Sequence, residues 1–424
     1  MKTNYKRTKS NASPFGGLYV LAEFLHQIDF HSIFQDCFNK LRRIRKSSPS
    51  QNIALLAGMI ISGGERLYDI RRLADDHTVC ELFDMISAPA DTTLRDDLFL
   101  IGQKDQSRAE MLLRLNERLF EKLNLNSITI DIDGTALPVD GHQEGAEKGY
   151  CPAEPGSRCF QSVKAICAET ETVVAAWTLP GNAHCSRDII EFLKPMLDRL
   201  TALELEINLH LDAGFYSHEL LLFLEGYANV FYEIAVPQHE WLQNKIKALK
   251  YKHYHNSERE YTTFAYGEGL NGAFRYYAVE RFLKPANSQI DLFDQDVYTY
   301  RVVVSNRQRQ PHIIFQDYNK RGRIEKHIEE LKNQYALGKM VSGDFTITKA
   351  LTWLCHLTFT LVGMLRKIAF RKRIKKLRLR RLRFLLFSAI GWFVHHSGKK
   401  VFKIALPRGA PIPFDAMMQR IWAF

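Results

Sequence analysis

The stretch SITIDIDGT, at residues 127–135, is the segment from which the fold can be inferred. Apolar and polar residues alternate along it, which predicts a half-buried β-strand. Asp131 and Asp133 are two residues apart and so point to the same face of that strand. Asp133 is followed by a glycine and Thr135, which predict that the strand ends there. Strand ends face the ligand-binding edge of an open sheet, so either aspartate is a candidate for a functional site.

The segments that follow predict a mixed sheet. They are strands at 163–168 and 172–179, a helix at 188–203, and strands at 205–211 and 298–305. Asp212 comes directly after the fourth strand and is followed by Ala-Gly-Phe215. Three consecutive strands, then a helix and another strand, are typical of an α+β fold with a mixed sheet and not of a doubly wound parallel sheet.

The chain outside these segments predicts three further regions. Residues 1–125 are helical, and both a helix-turn-helix DNA-binding domain and a plain helical bundle fit their pattern. Residues 213–297 carry many aromatic residues among short strand-like runs and predict a β-rich insertion. Residues 366–424 form a basic C-terminal region. The core of the protein is therefore expected to combine residues 126–212 with residues 298–365.

The composition is that of an ordinary globular protein. The chain has 424 residues, 46% of them apolar and 25% charged, so neither a disordered nor a fibrous protein is expected. An apolar helix is predicted at 348–365, but its charge-free stretch is too short and too polar to span a membrane comfortably, which favours a buried core helix. The seven cysteines form no Cys-x-x-Cys pair, and residues 1–17 hold no apolar segment, so a reducing, cytoplasmic location is expected.

A basic block accounts for the positive charge of the chain. The net charge is +11, and residues 366–383 contain eleven Lys or Arg and no acid, so the remainder is about neutral. Apolar residues at helical spacing within the block predict an amphipathic helix with a basic face. DNA phosphate is the favoured partner, and an anionic membrane surface is the alternative. The block residues predicted to contact DNA are Arg371, Lys372, Arg373, Lys375 and Lys376.

A second polar pattern lies on a helix predicted at residues 317–335. Its residues Tyr318, Arg321, Glu325 and Lys332 are spaced by three, four and seven positions, so they share one face of a helix. An acid between two cations fits a metal ligand flanked by phosphate contacts. A single helical Glu is more often a solvated surface residue. The interpretation of Glu325 as a metal ligand therefore depends on the spacing of the four residues and not on the presence of a Glu.

Three acids are therefore candidates for one site, namely Asp133, Asp212 and Glu325. Two Asp and one Glu that converge would bind hard divalent cations through oxygen. Two such cations stabilise the attacking and leaving oxygens of an in-line phosphoryl transfer. The alternative for each acid, taken singly, is a turn residue or an exposed surface residue.

The helical pattern resembles the Tyr-x2-Arg-x3-Glu-x6-Lys signature of the DDE transposases of bacterial insertion sequences, whose catalytic core is RNase H-like. Residues 131–150 resemble the first-acid region of one subgroup, and residues 212–215 resemble the second-acid motif. The resemblance spans roughly residues 50–390. The long separation of Asp212 from Glu325 is similar to that in relatives with a β-rich insertion before the final acid.

The resemblance implies that Asp133, Asp212 and Glu325 bind Mg²⁺ or Mn²⁺, two ions in each active site. It implies phosphate contacts near the cleaved end by the other residues of the signature, which are Tyr318, Arg321 and Lys332. The expected partners are double-stranded DNA, as element ends and as target, and a second copy of the chain in a homodimer. The expected location is the cytoplasm, with the nucleoid, and no membrane is expected.

Two alternatives to an active transposase remain open from the sequence. Asp131 and Asp133 also resemble the nucleophile and the general acid of haloacid-dehalogenase-type phosphatases, and residues 302–306 imitate a second motif of that family. That interpretation leaves the helical pattern and the basic block unexplained. The other alternative is a relative that binds DNA without cleaving it. Asp133 is preferred to Asp131 as the first acid because Thr135 follows it, as the transposase motif requires.

Overall fold

The computed structural model describes residues 11–44, 46–254, 258–272, 274–284, 297–371, 374–407 and 411–424. The chain divides into two compact units. The first unit is composed of Met1–Lys122, Leu137–Phe160 and Glu329–Phe424. The second unit is composed of Leu123–Ala136 and Gln161–Ile328.

The described residues form both α-helices and β-strands. The helices are, in chain order, α1 (Leu18–Gln27), α2 (Phe30–Cys37), α3 (Pro49–Ser62), α4 (Arg71–Ala74), α5 (His77–Leu82), α6 (Asp91–Gly102), α7 (Asp105–Lys122), α8 (Ile189–Thr201), α9 (His218–Glu225), α10 (Glu240–Lys247), α11 (Pro311–Tyr318), α12 (Arg323–Gln334), α13 (Phe345–Ala369), α14 (Leu379–Leu382) and α15 (Phe414–Trp422). The strands are, in chain order, β1 (Ser127–Pro138), β2 (Glu147–Lys148), β3 (Arg158–Cys167), β4 (Thr172–Pro180), β5 (Glu206–Leu211), β6 (Val230–Ala235), β7 (Lys252–His253), β8 (Glu260–Glu268), β9 (Phe274–Leu283), β10 (Tyr298–Ser305), β11 (Ile390–His396) and β12 (Lys399–Ala405).

A mixed sheet forms the framework of the second unit. In the described part of this unit its strands are ordered β3-β1-β5-β6-β10-β9-β8-β7, and β4 pairs with β3. Strands β1, β5 and β6 are parallel neighbours, whereas β10 is antiparallel to both β6 and β9. The predicted α+β class with a mixed sheet is confirmed, and so are the predicted strands at β1, β4, β5 and β10 and the helix at α8.

The first unit is mainly helical around α13. Asp344 caps this helix by accepting a hydrogen bond from the backbone N–H of Ile347 at 3.0 Å. Helices α3, α6, α7 and α15 pack against it, and Trp353 donates its indole N–H to the carbonyl of Arg108 at 3.0 Å. Among the described residues, α13 alone is long and apolar enough to cross a membrane, and 83% of its most apolar window is buried. The predicted buried core helix is therefore confirmed.

The predicted single helix at residues 317–335 is wrong. Helix α11 ends at Tyr318, a 3₁₀ turn follows at Asn319–Gly322, and α12 begins only at Arg323. Gly322 is a poor helix former, and the turn lets the chain change direction at this point. Tyr318 and Arg321 consequently do not share a continuous helical face with Glu325.

The predicted amphipathic helix over the basic block is also wrong in the described part of that block. Helix α13 ends at Ala369, and the block continues as a 3₁₀ turn at Ile374–Lys376 and the short helix α14. Arg383 opens a π-helical turn at Arg383–Phe387. A run of neighbouring cations repels itself along a helix, which offsets the helical preference of Lys and Arg.

The predicted β-rich insertion at 213–297 contains helices as well as strands. Helix α9, strand β6 and helix α10 occupy its first part, and β6 is a parallel neighbour of β5 in the central sheet. Strands β7, β8 and β9 extend the same sheet on the far side of β10. The domain boundaries predicted from the sequence stay a prediction.

Candidate active site

Strands β1 and β5 bring two of the predicted acids to the same end of the sheet. The strands pair in parallel with Asp131 opposite His210, and Asp133 and Asp212 each lie two residues further along. Asp133 Oδ1 accepts a hydrogen bond from the backbone N–H of Gly134 at 2.9 Å. Asp212 Oδ1 accepts one from Gly214 at 2.9 Å, which begins the turn after β5. Asp212 directly follows the last residue of β5. Asp133 lies within β1, two residues beyond the last residue of β1 that pairs with β5, so the prediction that the strand ends at Asp133 is wrong.

Arg321 lies between these two carboxylates. One terminal nitrogen of its guanidinium is 3.2 Å from Asp133 Oδ1 and 3.7 Å from Asp212 Oδ2. The same nitrogen donates a hydrogen bond to the carbonyl of Ile132 at 3.2 Å. The Nε of Arg321 is buried with no hydrogen-bond partner among the described residues. The two acids therefore converge on one positive charge, and the guanidinium still has donor capacity.

Burial raises the pKa of Asp133 above its usual value, and the nearby charge of Asp212 adds to the rise. Arg321 and Lys164 oppose the rise because each places a positive charge beside the carboxylate. Lys164 is itself fully buried on β3, where its ammonium donates to the carbonyl of Ser162 at 3.0 Å. A lysine inside the otherwise apolar run of β3 is the signal in the sequence from which this residue could have been found.

Asp131 has a different environment from Asp133, although the two share a strand. Asp131 is 1% exposed, and each of its carboxylate oxygens has a charged partner. Oδ1 lies 2.9 Å from His210 Nδ1, and Oδ2 accepts a hydrogen bond from Arg323 Nε at 2.7 Å. A carboxylate with both oxygens engaged and no access to solvent is not available as a nucleophile.

His210 joins Asp131 to a second acid. Its Nδ1 faces Asp131, and its Nε2 lies 3.5 Å from Oε2 of Glu233 on β6. Burial opposes the charged form of His210, but the hydrogen bonds with Asp131 and Glu233 raise its pKa above the usual value. The imidazole thus bridges strands β1, β5 and β6.

The sequence as a whole matches the family profile described as transposase DDE domain group 1, over residues 6–421. The chain belongs to this family of DDE transposases. Among solved structures, the piggyBac transposase synaptic complex with hairpin DNA is similar, with a TM-score of 0.45 and 11% sequence identity. The similarity covers 88% of this chain and 81% of that chain. No curated protein matches the sequence at a significant level.

Because the chain belongs to the DDE transposase family, it is not a haloacid-dehalogenase-type phosphatase. The burial of Asp131 removes that alternative independently, because the proposed nucleophile is locked between His210 and Arg323. The alternative of a DNA-binding relative without cleavage activity concerns chemistry and stays open to experiment.

Glu325 lies in the first turn of α12 and is exposed. It has no hydrogen bond or ion pair among the described residues of the transposase. No group of three His, Cys, Asp or Glu residues in the described part of the chain is arranged to hold a metal ion. The structure therefore brings Asp133 and Asp212 together, but it does not assemble the predicted three-acid cluster.

Tyr318, which was predicted to contact DNA, is buried in this structure. It is 7% exposed and packs with Ala278, Val303 and Phe315 in an apolar cluster. Its hydroxyl donates a hydrogen bond to the carbonyl of Leu211 at 3.1 Å. Burial raises the pKa of Tyr318, so the hydroxyl stays protonated and serves as a donor to the strand that leads into the second acid.

Lys332 and the basic block belong to the first unit of the transposase. Burial lowers the pKa of Lys332, and only Cys151 nearby opposes this effect. Two arginines of the block have acidic partners, since Arg366 lies 3.7 Å from Glu330 and Arg378 lies 3.4 Å from Glu329. The positive charge of the block is therefore partly balanced by acids that lie outside residues 366–383.

The predicted DNA-contacting residues of the block divide into two groups. Arg371 and Lys376 are exposed and Lys375 is half-buried, and none of them has an ion pair among the described residues. Lys372 and Arg373 lie outside the described residues. Three cations of the block are thus available to an anionic partner.

Proposed function

We propose that this DDE transposase binds the ends of a mobile element, cleaves the phosphodiester backbone and joins the freed 3′-hydroxyl ends to target DNA. The observation that carries the proposal is the convergence of Asp133 and Asp212 on one cationic group, just beyond the paired part of the adjacent parallel strands β1 and β5. Paired carboxylates in such a place suit a phosphoryl-transfer site. Glu325 on α12 supplies the third acid of the family motif.

An RNase H-like core is part of the proposal. Its support is the order β4-β3-β1-β5-β6, in which the central strand β1 has β5 and then β6 as parallel neighbours. Helix α11 and the start of α12 follow β10 and carry the final acid, Glu325. In such an arrangement the acids come from two neighbouring strands and a later helix.

The donor set fits a hard divalent cation, because two carboxylates converge where a positive charge is already accommodated. Asp133, Asp212 and Glu325 would hold Mg²⁺ or Mn²⁺, two ions in the site. Such ions, when bound, stabilise the charge that develops on the attacking and leaving oxygens of an in-line displacement.

The protein's own residues have separate tasks in this proposal. Asp133 and Asp212 provide oxygen ligands on strands that fix their spacing. Arg321 balances their charge, and its buried, unpaired Nε leaves capacity for a phosphate oxygen. Tyr318 supports the strand before Asp212 through its hydrogen bond to Leu211. Lys332 stays a predicted phosphate contact.

DNA outside the site would be held by three cations of the basic block, the exposed Arg371 and Lys376 and the half-buried Lys375, with Lys372 and Arg373 as further predicted contacts. Phosphate neutralisation by Lys and Arg supplies most of the affinity of a DNA-binding surface. A homodimer that holds two element ends, and a cytoplasmic location with the nucleoid, remain predictions from the resemblance.

The test is cleavage of DNA that carries the parent element's end, with Mg²⁺ present and with EDTA in its place. We expect strand cleavage at the element end only with the metal, and binding in both conditions. Binding without cleavage in Mg²⁺ and in Mn²⁺ would identify a DNA-binding relative instead of an active transposase.

A further inference from the structure

Asp131 connects the three elements that carry the candidate acids. It lies on β1 and contacts His210 on β5 and Arg323 at the start of α12. Its two oxygens are used separately, one at 2.9 Å from the imidazole and the other at 2.7 Å from the guanidinium. One buried carboxylate therefore ties two strands and a helix to one another.

Each member of this cluster precedes a candidate acid by two residues in the chain. Asp131 lies two residues before Asp133, and the same two-residue spacing occurs on the two other elements. The partner on β5 is His210, two residues before Asp212. The partner on α12 is Arg323, two residues before Glu325.

The two-residue offset means that the cluster would act on the candidate acids through the backbone of each element and not by direct contact. On a strand, residues two apart point to the same face about 7 Å from each other, so fixing the first fixes the level of the second. In α12, anchoring Arg323 in the first turn sets where that turn begins and hence where Glu325 lies. The cluster can therefore determine the relative positions of the acids without touching them.

Further ionic contacts connect the cluster to β6 and α11. Glu233 faces His210 and also lies 3.4 Å from a terminal nitrogen of Arg309. The other terminal nitrogen of Arg309 donates to Asp317 on α11 at 2.7 Å. The ionic contacts thus run from β1 through β5 and β6 to the helix that leads into α12, all within the second unit.

A purely stabilising role is a weak explanation for this cluster. Burying a charge carries a desolvation cost, and well-packed apolar residues often stabilise a core as well as an ion pair does. A buried ionic cluster does fix geometry, because each partner must be in place for any of the charges to be satisfied.

We infer that Asp131, through His210 and Arg323, is the positioning residue that sets the spacing of Asp133, Asp212 and Glu325 for metal binding. The inference rests on the proposed function, since it assigns Asp131 to the same site. Asp131 is a positioning residue and not a ligand, because both of its oxygens are occupied and the carboxylate is buried.

The test is Asp131→Asn, which preserves size but removes the charge that Arg323 and His210 share. We expect Mn²⁺ binding to the full chain, measured by calorimetry without DNA, to weaken by about 10- to 100-fold. Single-turnover cleavage at saturating DNA should fall by a similar factor. Binding of element-end DNA in EDTA should stay within about twofold, because no phosphate contact is lost.

Glu206→Gln is the matched control. Glu206 lies at the opposite end of β5 and pairs with Arg307 at 2.8 Å, so its loss removes an ion-paired acid from the same strand without reaching the cluster. We expect wild-type Mn²⁺ affinity and cleavage for this variant. An equal loss in Glu206→Gln and Asp131→Asn would overturn the inference, since any ion-paired acid would then have the same effect.

If Asp131→Asn does not fold, Arg323→Lys provides a second test of the positioning role. A lysine keeps the charge but cannot reproduce the guanidinium geometry, so Mn²⁺ affinity should fall while urea unfolding stays close to wild type. Wild-type Mn²⁺ affinity and cleavage in folded Asp131→Asn or in Arg323→Lys would contradict the positioning role. Absence of metal-dependent cleavage in the wild-type chain would instead contradict the proposed function.

Discussion

Arg321 is the residue that most directly links Asp133 and Asp212. Its guanidinium lies 3.2 Å from Asp133 and 3.7 Å from Asp212, so its removal leaves two neighbouring carboxylates without their shared countercharge. Arg321→Ala should lower single-turnover cleavage at saturating DNA on the order of 100-fold, the size of effect expected for an electrostatic group in a site. End binding should change much less.

The control for this prediction is Arg187→Ala, which removes an exposed arginine paired only with its neighbour Asp188. It should cleave like the wild type. If Arg321→Ala loses affinity and rate in the same proportion, Arg321 is a binding contact alone and its place between the acids has no chemical consequence.

Tyr318 illustrates a role that spacing in the sequence could not reveal. Its hydroxyl donates to the carbonyl of Leu211, and the residue is buried in an apolar cluster. Tyr318→Phe should therefore lower the free energy of unfolding by roughly 1–3 kcal/mol, because a buried carbonyl loses its partner. Urea unfolding measures this change. Unaltered stability together with weaker DNA binding would restore the phosphate contact predicted from the sequence.

At the scale of single residues, the sequence identified two acids that converge but not what surrounds them. The alternation in β1 and the end of β5 before Asp212 are predicted correctly, because these signals are local. The predicted strand end at Asp133 is wrong, since β1 continues through Gly134 to Pro138. Burial of Asp131 depends on His210, which is 79 residues away in the chain, and no local pattern encodes that contact. Lys164 is missed for the same reason.

At the scale of elements, the strongest local signals gave the correct result. The apolar run of α13 and the alternation in β10 predict their elements to within a few residues. The break between α11 and α12 was missed because the helical period continues across it, although Gly322 lowers the helical preference there. Tertiary contacts of Tyr318 with the sheet then decide where α11 ends.

The basic block gives a prediction at the element scale that separates affinity from chemistry. Replacing Arg371, Lys375 and Lys376 together by alanine should weaken DNA binding across sequences, because each is available to phosphate. The log–log salt slope should fall by about 0.9 for each lost contact. Binding measured over a salt series gives this slope directly.

Two comparisons make the salt series conclusive. Lys339→Ala removes an exposed cation that is paired with Glu65 at 2.7 Å, and it should leave the slope unchanged. An unchanged slope in the triple variant, accompanied by lost binding to vesicles of anionic lipid, would assign the block to a membrane surface instead of DNA.

At the scale of the whole molecule, the family profile identifies a DDE transposase, as the sequence resemblance predicted. The profile spans residues 6–421 and so covers both compact units. Asp133, Asp212 and the cluster around Asp131 lie within one unit, whereas the basic block lies in the other. We therefore expect substitutions in the block and at the acids to separate DNA affinity from cleavage.

The most direct test of the account compares Asp133→Asn, Asp212→Asn and Glu325→Gln in one assay of end binding and strand cleavage with Mg²⁺. Each variant should bind element-end DNA nearly as well as the wild type and should lose cleavage almost completely, because each removes a metal ligand and no phosphate contact. Glu191→Gln, an exposed acid in the first turn of α8, should behave as wild type. Full cleavage by any of the three variants would contradict the assignment of that acid, and full cleavage by all three would contradict the proposed site.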